Sequence, residues 1–448
     1  MTQLDLTAPA STSEQRRGFC PTLREPMQTG DGLLARLRPV GGVVTPRQLR
    51  AIAALAGEFG NGQIEITARG NVQVRGLRAE TVPAFADGVE AIMLLETGLP
   101  IETSPLAGLD PREIADASPL AAAIRRAIDD GALAAALGPK VTVVVDGGGS
   151  VGRDELSADI RLTAVGSATA PLWALEAGGA GLGLLRAEDA AGATWAVLGL
   201  IAALGQRGRG RDLDAPALRQ ALAPFFVGEP PASYPARPDQ TRIPLTDGRI
   251  GAVVGIAFGA ANAATVASLA DAADAAGITE FRLAPQHRLI AICASDAAAE
   301  HLQQAAGAVG FIVATTDPRR AISACVGSDG CASGVFAARR MAETLAQTEP
   351  DLFDGSFALH VSGCTKGCAH PAPALLTLAG NAAGVDMIIA GRANAAPAIR
   401  LAREAAMPAM ARLATLWRDE RALGESVATC FKRLGADSIA AAVRQGRQ

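Results

Sequence analysis

The chain repeats one pattern of predicted secondary structure on either side of a proline-rich stretch. Residues 224–242 contain five prolines and interrupt the alanine-rich segments on both sides, which is typical of a linker. Asp31-Gly32 and Asp247-Gly248 each precede an apolar run, a Gly/Ala-rich turn, a helical segment and a second strand. The sequence therefore predicts a duplicated chain in which two strand–helix–strand half-units complete each other.

Each copy is predicted to contain two strands with one helix between them. The elements of the first copy are Gly32 to Val40, Pro46 to Phe59 and Gln63 to Gly76, and those of the second copy are Arg249 to Phe258, Ala263 to Ala276 and Phe281 to Cys293. An α/β stretch is expected after each copy. The expected divisions are a disordered N-terminus at 1–17, units at 18–100, 101–223, 243–312 and 313–448, and the linker at 224–242.

Length and composition indicate a folded chain of several domains. The 448 residues correspond to about three domains, and 49% hydrophobic with 19% charged residues is far from the composition of disordered chains. The net charge of −4 argues against a dedicated nucleic-acid-binding protein. Nearly all basic residues are arginines, which bind carboxylates through two parallel hydrogen bonds, although GC-rich codon usage would produce the same bias.

Neither the N-terminal segment nor the long uncharged segment predicts export or a membrane span. Residues 1–17 include Asp5 and Glu14 and lack the apolar core of a secretory signal, so we expect a cytoplasmic protein. The 21 residues from Ile250 to Ala270 carry no charge and reach the length of a spanning helix. They are mostly Ala and Gly and begin as a strand, which favours part of a folded domain and no membrane partner.

Four of the seven cysteines stand in two segments rich in small residues. Cys325 and Cys331 have five residues between them, Cys364 and Cys368 have three, and 32 residues separate the pairs. Four thiolates from two loops can hold one [4Fe–4S] cluster, and small residues are expected where backbone surrounds such a core. A zinc site is the alternative, although its paired ligands more often stand two to four residues apart. The other cysteines are expected to be ordinary residues: Cys20, Cys293 and Cys430.

A polar strand is predicted in the first copy. Every second residue from Thr67 onward is polar, so these side chains would point to one face of a strand. They are Thr67, Arg69, Asn71, Gln73 and Arg75. Arg36 and Arg38 on the preceding strand can add to the same face. Arginines and amides suit a ligand with several carboxylates, and a solvated outer sheet face is the alternative.

These features together resemble the superfamily of nitrite and sulfite reductases that contain sirohaem and a [4Fe–4S] cluster. The resemblance rests on the cysteine pairs, the duplicated units, the T-x-R-x-N-x-Q segment from Thr67 to Gln73 and SPLAGLDP from Ser104 to Pro111. Segments 18–37 and 363–371 are most similar to the precorrin-3B synthases of aerobic cobalamin biosynthesis. The resemblance implies an α+β fold with a duplicated nitrite/sulfite-reductase-like architecture. In it two ferredoxin-like half-units form one domain, and the second of two α/β domains holds the cluster.

The same resemblance implies an enzyme, an oxidoreductase of the monooxygenase type. Precorrin-3A would be hydroxylated at C20 with O2 and two electrons, and a γ-lactone would close from a ring A acetate. A mononuclear non-haem iron would accompany the cluster, sirohaem would be absent, and electrons would come ultimately from NADH through a separate reductase. The carboxylate arms of the tetrapyrrole would bind Arg36, Arg69, Asn71, Gln73 and Arg75. An assimilatory sirohaem-dependent nitrite or sulfite reductase is the alternative function.

Departures from the reductase pattern favour the oxygenase. A reductase holds a small anion over its sirohaem with Arg and Lys, whereas this chain keeps Lys140 and has Thr142 where a second Lys is expected. Residues 178–185 lack the third glycine of a dinucleotide-binding fingerprint, so the electron donor is expected to be external. The four histidines show no familiar iron-ligand spacing. His370, close to Cys368, is the most suggestive of them, and a loop histidine bonded to backbone is the alternative.

Overall fold

The two halves of the chain contain half-units of the same kind. The computed structural model describes residues 20–131 and 133–444, so the predicted disordered segment 1–17 lies outside the described residues. The first half-unit contains β1 (Met27–Thr29), β2 (Gly32–Leu37), β3 (Val43–Val44), α1 (Pro46–Phe59), β4 (Gln63–Ile66), β5 (Val72–Leu77) and α2 (Val82–Ile92).

An α/β unit follows the first half-unit, and the second half of the chain repeats this order. The first α/β unit contains β6 (Ile101–Thr103), α3 (Ser118–Asp129), α4 (Leu133–Ala136), β7 (Val143–Asp146), β8 (Ile160–Ser167), β9 (Ala170–Ala177), β10 (Ala180–Leu185), α5 (Ala187–Ala203) and α6 (Ala215–Leu222). The second half-unit contains β11 (Arg242–Pro244), β12 (Ile250–Gly255), β13 (Ala260–Asn262), α7 (Ala263–Ala275), β14 (Phe281–Ala284), β15 (Arg288–Cys293) and α8 (Asp296–Ala308). The second α/β unit contains β16 (Ile322–Ala324), α9 (Ala338–Thr348), β17 (Leu359–Ser362), β18 (Ala374–Asn381), β19 (Gly384–Gly391), β20 (Ile399–Leu401), α10 (Ala406–Glu420) and α11 (Val427–Arg444).

The two half-units exchange a short strand. The first sheet has the order β1-β2-β5-β4-β13, so β13 of the second half-unit pairs antiparallel with β4, and Ala260 stands opposite Glu65. The second sheet has the order β11-β12-β15-β14-β3, so β3 of the first half-unit pairs antiparallel with β14. Apolar side chains of both half-units form one shared core. The predicted architecture, in which two ferredoxin-like half-units form one domain, is confirmed.

Helix α1 shows why the sequence forms a helix at this place. The Thr45 side chain accepts a hydrogen bond from the Gln48 N–H at 3.1 Å, and the Gln48 side chain accepts one from the Thr45 N–H at 2.9 Å. Pro46 occupies the first turn, where its missing N–H costs no hydrogen bond. Residues three and four apart face the core and are buried: Leu49, Ile52, Ala53 and Ala56. The predicted bounds of this helix are those observed.

The predicted strand from Gln63 to Gly76 is wrong, because this segment is a hairpin of β4 and β5. The chain reverses at Gly70, whose φ is 79°, and the Thr67 N–H donates to the Asn71 carbonyl at 2.8 Å across the turn. A period-two pattern continues through such a turn, so alternation alone did not reveal it. Thr67 and Arg69 therefore do not share one continuous strand face with Gln73.

The predicted strand from Phe281 to Cys293 is wrong for the same reason. It is a hairpin of β14 and β15 that turns at Gln286 and His287, with φ of 60° and 61°. The two hairpin turns lie against each other. The Gln286 N–H donates to the Ala68 carbonyl at 3.0 Å, and the His287 imidazole lies with Nδ1 2.6 Å from the Ile66 carbonyl oxygen. The turns are thus part of the contact between the half-units.

The two α/β units contain sheets of one topology. The strand orders are β6-β7-β8-β9-β10 and β16-β17-β18-β19-β20. In each sheet the first three strands are parallel and the remaining pairings are antiparallel. Parallel neighbours end at the same edge of a sheet, so the loops after the first two strands of each sheet lie side by side. The duplication therefore extends to the α/β units.

The half-unit sheets differ in the face that points away from their helices. In the first sheet this face carries Arg36, Gln73 and Glu65, which stand opposite one another on β2, β5 and β4. In the second sheet it is apolar, and its residues pack against loops of the first α/β unit. That apolar cluster includes Val253, Ile290, Ile292, Leu106 and Val151. The outer face of the first sheet is thus polar, and that of the second sheet is covered by apolar side chains of the first α/β unit.

Within residues 20–131 and 133–444, no helix has the length and apolar character needed to cross a membrane. The uncharged segment from Ile250 to Ala270 contains β12, β13 and the first part of α7. The prediction that this segment belongs to a folded domain is therefore confirmed.

Gly70→Ala should destabilise the protein more than Gly62→Ala. Both glycines have positive φ, 79° and 75°, so each alanine costs about 1–2 kcal/mol of backbone strain. A Cβ at Gly70 would also stand 3.1 Å from the Ala284 carbonyl oxygen, whereas a Cβ at Gly62 meets no atom within 4 Å. Overpacking adds about 1–3 kcal/mol to the first loss only. Urea unfolding followed by circular dichroism measures both, and equal losses would contradict a tight contact between the turns.

Candidate functional site

The two cysteine pairs meet at the edge where β16 and β17 end. These strands are parallel neighbours, and Cys325 and Cys364 follow their carboxyl ends closely. The Cys325 N–H donates to the Val361 carbonyl at 3.2 Å, and the Gly363 N–H donates to the Cys325 sulfur at 3.1 Å. The sheet therefore brings together thiols that are far apart in sequence.

Glycines let the two cysteine loops lie backbone against backbone. A Cβ on Gly363 would stand 2.7 Å from the Cα of Gly327 and 3.3 Å from that of Gly334, so larger residues would force the loops apart. Gly327 also has a φ of 65°, which favours glycine. The Lys366 ammonium donates to the Ser333 hydroxyl at 2.8 Å and ties the loops together beside the cysteines.

The donor set at this edge fits an iron–sulfur cluster. Three of its thiols are half-buried and the Cys368 thiol is exposed. Each iron of a [4Fe–4S] cluster takes one thiolate, and close backbone N–H groups can donate to sulfur, as Gly363 does to Cys325. Over the described ranges, no three His, Cys, Asp or Glu side chains converge as ligands of a single metal ion. The remaining cysteines lie outside this edge: Cys20, Cys293 and Cys430.

A row of polar side chains crosses the open face of the first sheet. When the Gln73 amide is oriented to suit both neighbours, its oxygen accepts from Arg36 at 2.8 and 3.0 Å and its nitrogen donates to Glu65 at 3.1 Å. Glu65 is also 2.7 Å from Arg339 of α9. Gln73 and Glu65 are buried, and Arg36 is half-buried. The row therefore runs from the half-buried Arg36 to Glu65, whose carboxylate is paired with Arg339.

The charge of Arg36 has no carboxylate partner in the described part of the chain. Its hydrogen bonds go to the neutral Gln73 amide, and no salt bridge includes it. Burial lowers the pKa of Arg36, and the nearby charges of Arg69 and Arg38 act in the same direction. Arg38 donates to the Gly98 carbonyl at 3.0 Å, and burial lowers its pKa as well. This side of the face is thus prepared for an anionic ligand.

Arg69 lies in the turn of the first hairpin and reaches the first α/β unit. Its guanidinium is 3.2 Å from the Glu102 carboxylate and bonds to the Ser157 carbonyl. Arg153 donates to the Arg69 carbonyl at 2.8 Å and so holds the turn. Asn71, half-buried in the same turn, donates its N–H to the Thr67 hydroxyl at 3.0 Å. The turn therefore connects the polar face to the neighbouring unit.

Arg75 and Arg209 are held by carboxylates of the protein. Arg75 is buried, forms two hydrogen bonds with Asp31 and donates a third to the Gly330 carbonyl, next to Cys331. Arg209 binds the buried Asp159 at 2.8 and 2.9 Å. Of the arginines considered from the sequence, Arg36 and Arg38 remain without such a partner in the described chain.

Sequence reasoning missed three residues of this site. Glu65 is a single acid within the apolar run of β4, and that contrast is a signal that could have identified it. Asp31 was noted only as the start of a repeat, and Arg339 lies on an amphipathic helix whose other arginine, Arg340, is exposed. Only the fold brings the latter two to the face that carries Gln73.

Two histidines lie behind the cysteine loop of β17. His360 is fully buried with neither ring nitrogen hydrogen-bonded to a described residue, and its ring centroid is 5.7 Å from that of His370. Burial lowers the pKa of His360 to about 4, and His370 contributes in the same direction. Both rings are therefore close to the cysteine site, but no third ligand joins them in the described residues.

The equivalent edge of the first α/β unit holds carboxylates in place of cysteines. Asp146, fully buried at the end of β7, is 3.0 Å from Arg237, and Asp110 accepts from the Ser150 hydroxyl at 3.2 Å. One oxygen of Glu113 accepts from a backbone N–H at 2.7 Å, and the other is buried without a partner among the described residues. Burial, together with neighbouring carboxylates, raises the pKa of Glu113 to about 8.

Glu113→Gln should flatten the pH dependence of stability. The pKa of Glu113 rises from an ordinary 4.5 to about 8 on folding, so in this interval the folded state keeps a proton that the unfolded state releases. This contribution is fully present below the lower value and is lost as the pH rises through the higher one. Urea unfolding at about pH 5, 6, 7 and 8 should therefore give a shallower decline for the variant. Glu58→Gln, which changes an exposed glutamate of α1 that does not act on Glu113, is the matched control, and identical slopes for wild type and Glu113→Gln would contradict the assignment.

The fold has known counterparts. Residues 25–92 match the nitrite/sulfite reductase ferredoxin-like half domain. The structure of the Mycobacterium tuberculosis NirA protein superimposes with a TM-score of 0.73 over 91% of this chain and 84% of that one, at 19% identity, which shows the fold alone. A chloroplastic ferredoxin–nitrite reductase of Zea mays is 38% identical over 94 residues, which are 19% of this chain and 16% of the relative.

A second relative matches over the whole length. A precorrin-3B synthase of Sinorhizobium sp. is 42% identical over 454 aligned positions, which cover 99% of this chain and 98% of the relative. The matches to nitrite reductases are partial, so they indicate the wider superfamily. The chain belongs to the precorrin-3B synthase family within the nitrite and sulfite reductase superfamily.

Proposed function

We propose that this protein is an O2-dependent monooxygenase that converts precorrin-3A to precorrin-3B in cobalamin biosynthesis. The reaction hydroxylates C20 of the macrocycle and closes a γ-lactone from a ring A acetate. The observation that carries the proposal is 42% identity over both full lengths to a precorrin-3B synthase. The fold is shared with reductases, so the fold by itself supports either chemistry.

The polar face of the first sheet is proposed to bind the substrate. Precorrin-3A carries acetate and propionate arms, and the half-buried Arg36 offers a cation that no carboxylate of the described residues pairs with. Gln73 orients that guanidinium, since its amide oxygen accepts two of its hydrogen bonds. Arg69 and Asn71 of the hairpin turn supply further donors to a ligand that extends toward the first α/β unit. The contact of Arg75 with substrate, predicted from the sequence, stays a prediction.

Four cysteines are proposed to hold the [4Fe–4S] cluster: Cys325, Cys331, Cys364 and Cys368. When bound, the cluster supplies one-electron transfer, which an oxygenase that takes two electrons requires. The glycine contacts between the loops fix where the thiols stand, and Lys366 holds the loops against each other. The donor of electrons is proposed to be external, with NADH as the ultimate source through a separate reductase, and no sirohaem is expected.

The mononuclear iron expected for the family has no ligand set among the described residues. His360 and His370 lie together, while His287 belongs to the hairpin turn and His301 to α8. A non-haem iron site of this kind needs about three protein ligands with open positions. No step of the reaction is therefore assigned to side chains at such an iron.

Anaerobic purification and turnover test the proposal. The wild-type protein should contain about four irons and four sulfides per cluster, show no sirohaem bands, and add one oxygen atom from labelled O2 to precorrin-3A. Cys364→Ser should lose the sulfide and the turnover, because the cluster then lacks a ligand. Cys430→Ser is the matched control, since this cysteine lies in α11 away from the cluster loops. Sirohaem bands with nitrite or sulfite reduction would overturn the proposal in favour of the reductase.

Arg36→Gln should weaken binding of precorrin-3A more than Arg69→Ala, and Arg69→Ala more than Arg209→Gln. A lost hydrogen bond to a charged group costs about 1.5–3 kcal/mol, so we expect a dissociation constant roughly 10- to 100-fold higher for Arg36→Gln. Arg69 shares its charge with Glu102, and Arg209 is committed to Asp159. Anaerobic fluorescence titration measures the three constants. Equal effects would contradict the proposed place of the substrate.

A further inference from the structure

An ion pair between the buried Arg75 and the half-buried Asp31 joins the first half-unit to the cysteine loop that follows β16. Arg75 is 5% exposed, and its guanidinium donates to both oxygens of Asp31, from Nε at 3.0 Å and from Nη2 at 2.8 Å. The same Nη2 donates to the Gly330 carbonyl at 2.6 Å, and Gly330 immediately precedes Cys331. Glu65 lies 3.7 Å from Nη1. The donors of Arg75 are thus directed at the cysteine loop and at carboxylates of its own half-unit.

Two glycines allow the ion pair to touch the backbone of that loop. A Cβ on Gly330 would stand 2.8 Å from an Asp31 oxygen and 2.9 Å from the Arg75 guanidinium. In the segment before β2, the Gly30 N–H donates to the Gly330 carbonyl at 3.1 Å. A Cβ on Gly30 would stand 2.8 Å from the Cys331 carbonyl carbon. No larger side chain fits at either position. The contact between the half-unit and the loop is therefore direct.

Both partners of the pair are held in their charged forms. Burial acts to raise the pKa of Asp31, but hydrogen bonds from Arg75 and Thr29 outweigh it and the pKa is lowered. Asn61 adds a third hydrogen bond to this carboxylate at 3.0 Å. Burial opposes the charge of Arg75, yet its pKa is raised by the hydrogen bond to Asp31 and by the neighbouring carboxylates of Glu65 and Asp31. A fixed cation and a fixed anion therefore stand beside one cluster ligand.

Fixed charges beside the loop that carries a cluster ligand change the cluster's reduction potential. One-electron reduction makes the cluster more negative by one charge, so a nearby cation stabilises the reduced form and a nearby anion destabilises it. Arg75 is buried and Asp31 is half-buried, so water screens the pair less than it screens surface charges. Hydrogen bonds to the ligand loop act in addition, because they fix the backbone that carries the thiolate.

We propose that Arg75 and Asp31 set the position of the Cys331 loop and the reduction potential of the cluster that it holds. Arg75 anchors the Gly330 carbonyl and raises the potential, while Asp31 holds Arg75 in place and limits that increase. In this role Arg75 is a positioning residue. The inference rests on the proposed function, since it requires the cluster at the four cysteines.

A redox titration of the purified holoenzyme, followed by visible and electron paramagnetic resonance spectra, tests the proposal. Arg75→Gln should lower the potential, because it removes the positive charge and keeps an amide donor for Gly330. Asp31→Asn should raise the potential, because it removes the negative charge and keeps an acceptor for Arg75. Each should change the ratio of reduced to oxidised cluster roughly tenfold at fixed potential, which is about 59 mV for one electron. The variant with both changes should lie between the two.

Arg209→Gln and Asp159→Asn are the matched controls. They alter another buried arginine–carboxylate pair, 2.8 Å apart, in the first α/β unit, and should leave the potential unchanged. A purely structural role of Arg75 and Asp31 would move both potentials in one direction or not at all, and either result overturns the proposal.

Cluster loading separates this inference from the proposed function. Arg75→Lys replaces Arg75→Gln if the latter does not retain iron and sulfide. Arg75→Lys keeps the positive charge, so it should bind the cluster with a reduction potential near that of wild type. The direction of the shift in Asp31→Asn then decides whether the ion pair sets the potential. A wild-type protein without iron and sulfide would contradict the proposed function itself. If the cluster binds and its reduction potential is the same in wild type, Arg75→Gln and Asp31→Asn, only the role of the ion pair is contradicted.

Discussion

The exchange of two short strands joins the two half-units, and the site depends on that connection. Strand β13 completes the first sheet beside β4, and β3 completes the second sheet beside β14. A slip of one residue turns every side chain of the slipped strand to the other face of the sheet, so the register that sets Glu65 of β4 opposite Gln73 of β5 keeps both on the face away from the helices. With that register, the polar face meets the cysteine loops. The site therefore depends on backbone pairing far from its own ligands.

Duplication explains why the two α/β units share one sheet topology, and divergence explains why their loops carry different side chains. Both α/β units place two loops at the ends of neighbouring parallel strands. In the second unit those loops carry thiols and meet through glycines, whereas in the first they carry Asp110, Glu113 and Asp146, with Arg237 of the proline-rich segment pairing with Asp146. Carboxylates thus occupy the place where the other copy has thiols. The half-unit sheets diverge in the same sense, one face being polar and the other filled by apolar side chains.

The sequence was sufficient for the repeated architecture and for helix α1, because each depends on local patterns, and the cysteine ligand set stays a prediction. It was insufficient at the two hairpin turns. Residues Thr67 to Asn71 keep the period of a strand while the backbone reverses, and at residues 285–287 the turn depends on positive φ at Gln286 and His287, so both hairpins were predicted as single strands. Partners from distant segments were also out of reach. Nothing near Arg75 in the sequence indicates Asp31 or Gly330, since only the fold brings them within hydrogen-bond distance.

The three arginines predicted to share one function differ in how far their charges are compensated. Arg75 pairs with Asp31 and Glu65, Arg69 pairs with Glu102, and Arg36 is hydrogen-bonded to the Gln73 amide without an ion-pair partner among the described residues. The position of Gln73 is decisive, because it lies between Arg36 and Glu65 on adjacent strands. A carboxylate there would neutralise Arg36, and an apolar residue would remove the hydrogen bonds that Gln73 makes with Arg36 and with Oε2 of Glu65. A neutral amide satisfies both neighbours and leaves the positive charge of Arg36 available to the carboxylates of a ligand.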